Sequence, residues 1–360
     1  MNDKFTQILR KLSHHDYEVM RGQDCPATTS DFNVRRIEPM KLFLARKLLA
    51  LTLLAGAVLT ATNVHAQDLY TGNKGNDSIS QITPGGVVSQ FVPGGGASGP
   101  FGPKGLVFDP SGNLYVSNGS DASVSKITPG GVITKIIPFN DNGLVQPWGI
   151  ALDTSGNLYV GSHSGGAGIS KYTTSGTFIS IFATGADVGL VTGIAFDTTG
   201  NLFTADFGTG AIHRITPGGV RTTFVAGGGA IVSPLGLAFD ASGNLYATNQ
   251  DKISKITPGG LVSTIVGGLT SPEGLAFDAS GSLYISDGNA SVRKITFASP
   301  GVFGSIGTFA TGGPGGMVGP TGLAFKPAAP SSAPEPGTLV LLALGGTLVL
   351  ARRRGQRKEA

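Results

Sequence analysis

Cysteine is nearly missing from the 360-residue chain: the one copy is Cys25, so everything beyond it can form no disulfide and offers no thiolate nucleophile or thiolate metal site. Charge is also scarce. Asp, Glu, Lys and Arg make up 13% of the residues, where about 25% is usual, which excludes a coiled coil and a charged disordered chain. The formal net charge of +4 vanishes on division: residues 1–66 hold 9 basic and 6 acidic groups, residues 334–360 hold 5 and 2, and residues 67–333 hold 12 and 14. A nucleic-acid site needs clustered Lys and Arg, so the acidic middle excludes that class of partner. Within that middle Glu273 is the only glutamate, and Trp148 is the only tryptophan of the whole chain. Helical periodicity is absent there too, which leaves all-β structure.

Glycine and proline are plentiful, 57 and 21 residues, and hydrophobic residues reach 40%, enough for a core between frequent turns. From Met40, read as the start with 1–39 an upstream extension, Lys41, Arg46 and Lys47 precede an apolar run from Leu48 to Leu59 and then Val64-His65-Ala66. Residues 40–66 have the order of a secretory signal peptide, cut by signal peptidase after Ala66. At the other end, a Pro/Ala/Ser linker (327–333) leads to Pro334-Glu335-Pro336, fourteen apolar or small residues, Thr338 to Ala351, and Arg352-Arg353-Arg354. Residues 334–360 resemble a PEP-CTERM sorting tail. The resemblance implies a short transmembrane helix, recognition by an exosortase-type membrane protease, membrane contact through this tail alone, and a periplasmic, cell-surface or extracellular destination, with a link to extracellular polysaccharide.

Between these ends one unit recurs: Gly105-Leu106-Val107-Phe108-Asp109, Gly149 to Asp153, Gly193 to Asp197, Gly236 to Asp240, Gly274 to Asp278 and Gly322 to Lys326, at spacings of 44, 44, 43, 38 and 48. A period near 43 is that of a four-stranded propeller blade. Turns such as Asp109-Pro110-Ser111-Gly112-Asn113 follow the first strand. Thr128-Pro129-Gly130-Gly131 follows the third, with Pro129-Gly130 suited to the centre of a type II turn. Residues 69–92 contain second, third and fourth strands with no first, and 322–326 is a first strand with nothing after it. Joined, they complete a six-bladed β-propeller over 67–326, with four antiparallel strands per blade and no open edge. Val107, Ala151, Ala195, Ala238, Ala276 and Ala324 are expected to let the inner strands converge, with Phe108, Phe196, Phe239, Phe277 and Phe325 filling the space between blades.

These residues, 68–326, resemble the NHL-repeat group of six-bladed propellers and, more loosely, the gluconolactonase and virginiamycin B lyase families. Two rings of residues are expected near the channel mouth. One precedes each repeat glycine: Lys104, Trp148, Thr192, Leu235, Glu273 and Thr321. The other ends each second strand: Asn73, Asn118, Ser162, Asp206, Asn249 and Asp287. Glu273, Asp206 and Asp287, with Asn249, are the metal or acid–base candidates, and oxygen donors of this kind suit calcium or magnesium. Trp148 is either a stacking surface for sugar or packing between blades. The gluconolactonase resemblance implies Glu, Asn and Asp around an ion; the lyase resemblance implies a histidine, for which His163 and His213 are the residues available. Two functions stand open: a non-enzymatic exported binding or scaffold module for a polysaccharide or protein, and a divalent-metal lactonase or lyase working at the mouth.

Overall fold

A computed structural model of the chain describes residues 67–328 apart from 96–98, 165–167, 185–187, 289 and 313–315. The expected leader through Ala66, the Pro334-Glu335-Pro336 sequence, the arginines 352–354 and most of the expected 327–333 linker lie outside the described residues.

Local chemistry sets up each hairpin. In the first turn of blade 2, the Asp109 carboxylate accepts from the Asn113 backbone N–H (2.8 Å) and the Asn113 amide, while the Gly112 N–H donates to the Asp109 carbonyl. Gly112 stands at φ 80°, a conformation that costs glycine little. The aspartates at 153, 197, 240 and 278 repeat this pattern. The Thr-Pro-Gly-Gly turns depart from the expected type II geometry. The Gly131 N–H donates to the Thr128 carbonyl, and the left-handed residue is Gly131 at φ 82°, not Gly130. This is a type I turn closed by a glycine bulge, which Pro129 also suits and which matches the twist of a hairpin. The Thr128 hydroxyl accepts from the Val132 N–H to finish it.

These hairpins build six four-stranded antiparallel sheets, five of them running in sequence order from inner to outer strand. Blade 2 is typical: Pro103–Phe108, Leu114–Asn118, Ser123–Ile127 and Ile133–Ile137. Its second strand is buried throughout, and its outer strand is exposed at Thr134 and Lys135. Blade 1 is assembled from both ends of the repeat region, with Pro320–Phe325 pairing with Leu69–Asn73, Tyr70 opposite Ala324. The Lys326 N–H donates to the Asp68 carbonyl at the end of this seam. The fold is therefore the expected six-bladed propeller, closed by 69–92 and the last inner strand. In blade 6 the third and outer strands, Ser291–Ser299 and Val302–Thr311, extend well beyond their counterparts.

The core lies between blades. The aromatic residue of a second strand sits edge-on between a Phe of its own outer strand and a Phe of the next inner strand. Tyr70 meets Phe91 and Phe108, both at 5.0 Å, Tyr159 meets Phe182 and Phe196, Phe203 meets Phe224 and Phe239, and Tyr284 meets Phe309 and, across the seam, Phe325. The phenylalanines thus fill the expected space. What lets the inner strands converge is the repeat glycine rather than the alanine two positions on. A Cβ on Gly105 would stand 2.3 Å from the Trp148 carbonyl oxygen, and Gly149, Gly193, Gly236, Gly274 and Gly322 face the same carbonyl of the following blade, the last returning to Lys104.

Candidate functional site

Each second strand ends beside the start of its inner strand, as Asn118 pairs with Pro103, so the loops of varied sequence gather at one end of the blades and the repeated turns at the other. At the varied end a central cavity of about 100 Å³ opens, lined by Lys104, Trp148, Thr192, Leu235 and Glu273 together with the repeat glycines. Five of the six first-ring residues therefore line the channel, and Thr321 does not. The ring's members do unlike work. In blades 2, 5 and 6 a second-strand hydroxyl (Ser117, Thr248 or Ser286) accepts from the repeat glycine N–H and donates to the carbonyl of the next blade, Ser117 to Trp148 at 2.6 Å. Where that position is Gly72 or Ala205, the ring threonine supplies the stitch: Thr192 donates to Pro234 O (2.7 Å) and Thr321 to Pro103 O (2.8 Å). Both threonines thus spend their hydroxyls on closure, which leaves Lys104 and Glu273 as the charged ring residues in the cavity.

The second ring does not open into the cavity; its members are buried and hold loops. The Asn73 side chain accepts from Val318 N–H, Asp206 from Leu190 and Gly208, Asn249 from Val232 at 2.8 Å, and Asp287 from Thr270 at 2.9 Å. Asn118 donates to Ser123 and Ser125 within its own hairpin. Desolvating such groups is costly unless they are bonded, and outside blade 2 the backbone amides of the incoming loop provide the bonds.

Three residues that follow second strands, Lys74, His163 and Phe207, reach toward the mouth instead. Lys74 from blade 1 forms an ion pair with Glu273 of blade 6, and Lys104 Nζ lies 3.7 Å from the other carboxylate oxygen. Lys104 also stands 4.1 Å over the Trp148 ring, whose other face stacks on His163 at 4.0 Å and 7°. The edge of Phe207 follows at 5.7 Å from His163. A continuous chain of contacts therefore runs from a charged centre to an apolar rim. With both faces covered, Trp148 is not an open platform for sugar stacking. Burial holds the Lys104 ammonium below the ordinary lysine range, with Lys74 adding to the effect and Glu273 opposing it. Burial, and then the Lys104 charge, lower His163, so its imidazole is neutral at pH 7; its Nδ1 is buried with no hydrogen-bond partner among the described residues. His213 is set apart in blade 4, where Arg221 Nη1 lies 3.2 Å from its Nδ1 and Asp206 3.9 Å from its Nε2, and burial lowers it first, then Arg221.

The expected metal set is not assembled in one place. Glu273 is in the mouth, while Asp206 and Asp287 are turned to the loops of blades 4 and 6; among the described residues no three His, Cys, Asp or Glu side chains gather to hold an ion. The donor chemistry points the same way, because the Glu273 oxygens already face two ammonium groups and a divalent cation would have to join them against like charge. The residues present do not fit calcium or magnesium.

No protein-family model matches the sequence, and no curated protein does. Among solved structures the chain is similar to one from a nidogen–laminin complex, with 21% identity and a TM-score of 0.60 over 73% of this chain and 99% of that one. It is also similar to a catalytically inactive histidine-to-alanine virginiamycin B lyase from Staphylococcus aureus with quinupristin (17%, 0.53, 74% and 94%) and to a streptogramin B lyase (16%, 0.52, 74% and 92%). At such identities what is shared is the architecture, and it agrees with the geometry: the chain is a six-bladed β-propeller, on a fold that binding proteins and lyases both use.

Proposed function

We propose that this protein is an exported, surface-sorted propeller that works as a non-enzymatic binding module, its ligand recognised at the loop-bearing mouth. One observation carries the reading: the single glutamate of the propeller is neutralised by Lys74 and Lys104, so the mouth presents ammonium groups and rings in place of an open acidic site. The leader at 40–66 and the tail at 334–360 support export through the inner membrane, exosortase handling and an association with extracellular polysaccharide or a surface protein. The nidogen–laminin structure supports a binding role for a propeller of this architecture. Calorimetric titration of the protein and of Glu273→Gln with calcium and with magnesium tests the reading. No saturable heat is expected from either; binding by the wild type that is lost in the variant would favour the divalent-metal lactonase or lyase instead.

A second reading is favoured by His163. A neutral imidazole with a buried, unpaired nitrogen, across the Trp148 ring from a lysine held below its usual range, has the makings of a general base and acid. On this reading the mouth is a metal-free lyase site, as the S. aureus neighbour is described as inactive without a histidine.

A further inference from the structure

We propose that the mouth is a carboxylate receptor: the carboxylate of a small ligand takes over Lys104 and Lys74 from Glu273, while the ligand's planar apolar body lies against His163 and Phe207. This rests on the reading of the mouth as a binding site and names the ligand class.

The charge balance comes first. Two ammonium groups converge on one carboxylate, so the cluster is +1, and among the described residues Lys104 and Glu273 are the charged side chains that line the cavity. The carboxylate of a ligand would supply the missing negative charge. Burial keeps Lys104 below the usual lysine range despite Glu273, so its ammonium is undercompensated, and a second carboxylate would relieve it. Glu273 in this view is a tethered stand-in for the ligand's anion, with Lys74, whose side chain is 44% exposed, on the solvent side of the pair. Beyond the charges the contact chain turns apolar. The His163 ring continues the Trp148 stack, and Phe207 and Leu190, each 36% exposed, form the rim. A ligand with one anionic end and one ring matches that sequence of surfaces. The cavity itself is small, about 100 Å³, so we assign a low-molecular-weight acid whose carboxylate enters it and whose ring stays at the rim, rather than a polymer segment.

Trp148 makes the test direct. It is the sole tryptophan, with Lys104 on one face and His163 on the other, so its emission reports any withdrawal of Lys104. Phenylacetate, phenylacetamide and acetate are titrated into the full chain while the indole emission is followed. We expect a saturable response to phenylacetate, a weaker one to acetate, and none to the amide. Lys104→Met should abolish the response, Lys74→Met should weaken it, and Glu273→Gln should strengthen it about fivefold by removing the internal competitor. An equal response to the acid and its amide, no response to any probe, a Lys74→Met titration identical to wild type, or weaker binding by Glu273→Gln would each overturn the proposal. Calcium on the same signal keeps the two claims separate: a calcium response lost in Glu273→Gln sinks the binding-module reading, whereas indifference to the ligand's charge sinks the carboxylate claim alone.

Discussion

Adding one methyl group to Gly193 tests the closure of the ring. Its Cβ would stand 2.2 Å from the Leu235 carbonyl oxygen, with Leu237 N and Gly236 C at 3.0 and 3.2 Å, all of them backbone of the next inner strand. Ordinary contact begins near 3.4 Å, so blade 5 would have to retreat by about 1 Å. No rotamer change relieves the overlap, and in a sealed ring the displacement is passed on to blades already in contact on their far side. Overpacking a tight core costs about 1–3 kcal/mol, and the rigid partner places Gly193→Ala near about 3. For a domain of this size that corresponds to a fall of about 6–12 °C in Tm. Gly229→Ala is the matched control: nothing lies within 4 Å of its Cβ and its φ is outside the left-handed region, so a gain of about 0.4–1 kcal/mol is expected from the unfolded chain. Thermal unfolding of both variants, followed by circular dichroism, decides the matter. A Gly193→Ala protein melting within about 2 °C of wild type would refute the account of how the blades meet.

Phe277 packs on Tyr246 at 5.0 Å and is itself partly exposed, so Phe277→Ala should cost about 3 kcal/mol, the lower end for such truncations, as read by urea unfolding. Stability should also fall as pH drops through the ordinary histidine value of 6.5, because His163 and His213 are both lowered in the folded state and the unfolded chain takes up protons first. Melting at pH 7.5 and 5.5 in matched salt checks this: His163→Gln and His213→Gln should each narrow the difference, and an unchanged gap in both would show that other groups set it. The aspartates at 153, 197 and 278 lie below their usual 3.8 and lose their contribution only at more acid pH, so they do not confuse the window.

The blade count and the seam were legible in the sequence because a unit without its first strand and a first strand without its unit can be matched by counting alone. Turn chemistry was legible in part. Asp109 and Gly112 announce their hairpin, but Pro129-Gly130-Gly131 contains two glycines, and only the twist of the flanking strands selects the second for the left-handed position. The functional candidates divide for a physical reason. A polar residue at a strand end reads the same whether it faces a channel or holds a loop; Asp206 and Asn249 take backbone N–H groups from Leu190 and Val232, and a backbone amide leaves no mark in the sequence. Lys74 escaped attention because its partner is 199 residues away, yet it had a periodic signal. It follows Asn73 as His163 follows Ser162 and Phe207 follows Asp206, and that third register of the repeat is where the mouth was to be found.

The hydrogen-bonded union of Pro320–Phe325 with Leu69–Asn73 also governs the order of events in biosynthesis. A growing polypeptide can stack five complete sheets, but the three strands at 69–92 wait for a neighbour that is translated last among the propeller elements. Until it arrives, the inner edge of Leu69–Asn73 is bare and Tyr284 lacks Phe325. The molecule commits to its final shape only when synthesis of the repeat region is nearly over, and a ribosome that stops short of residue 320 releases a chain that cannot lock.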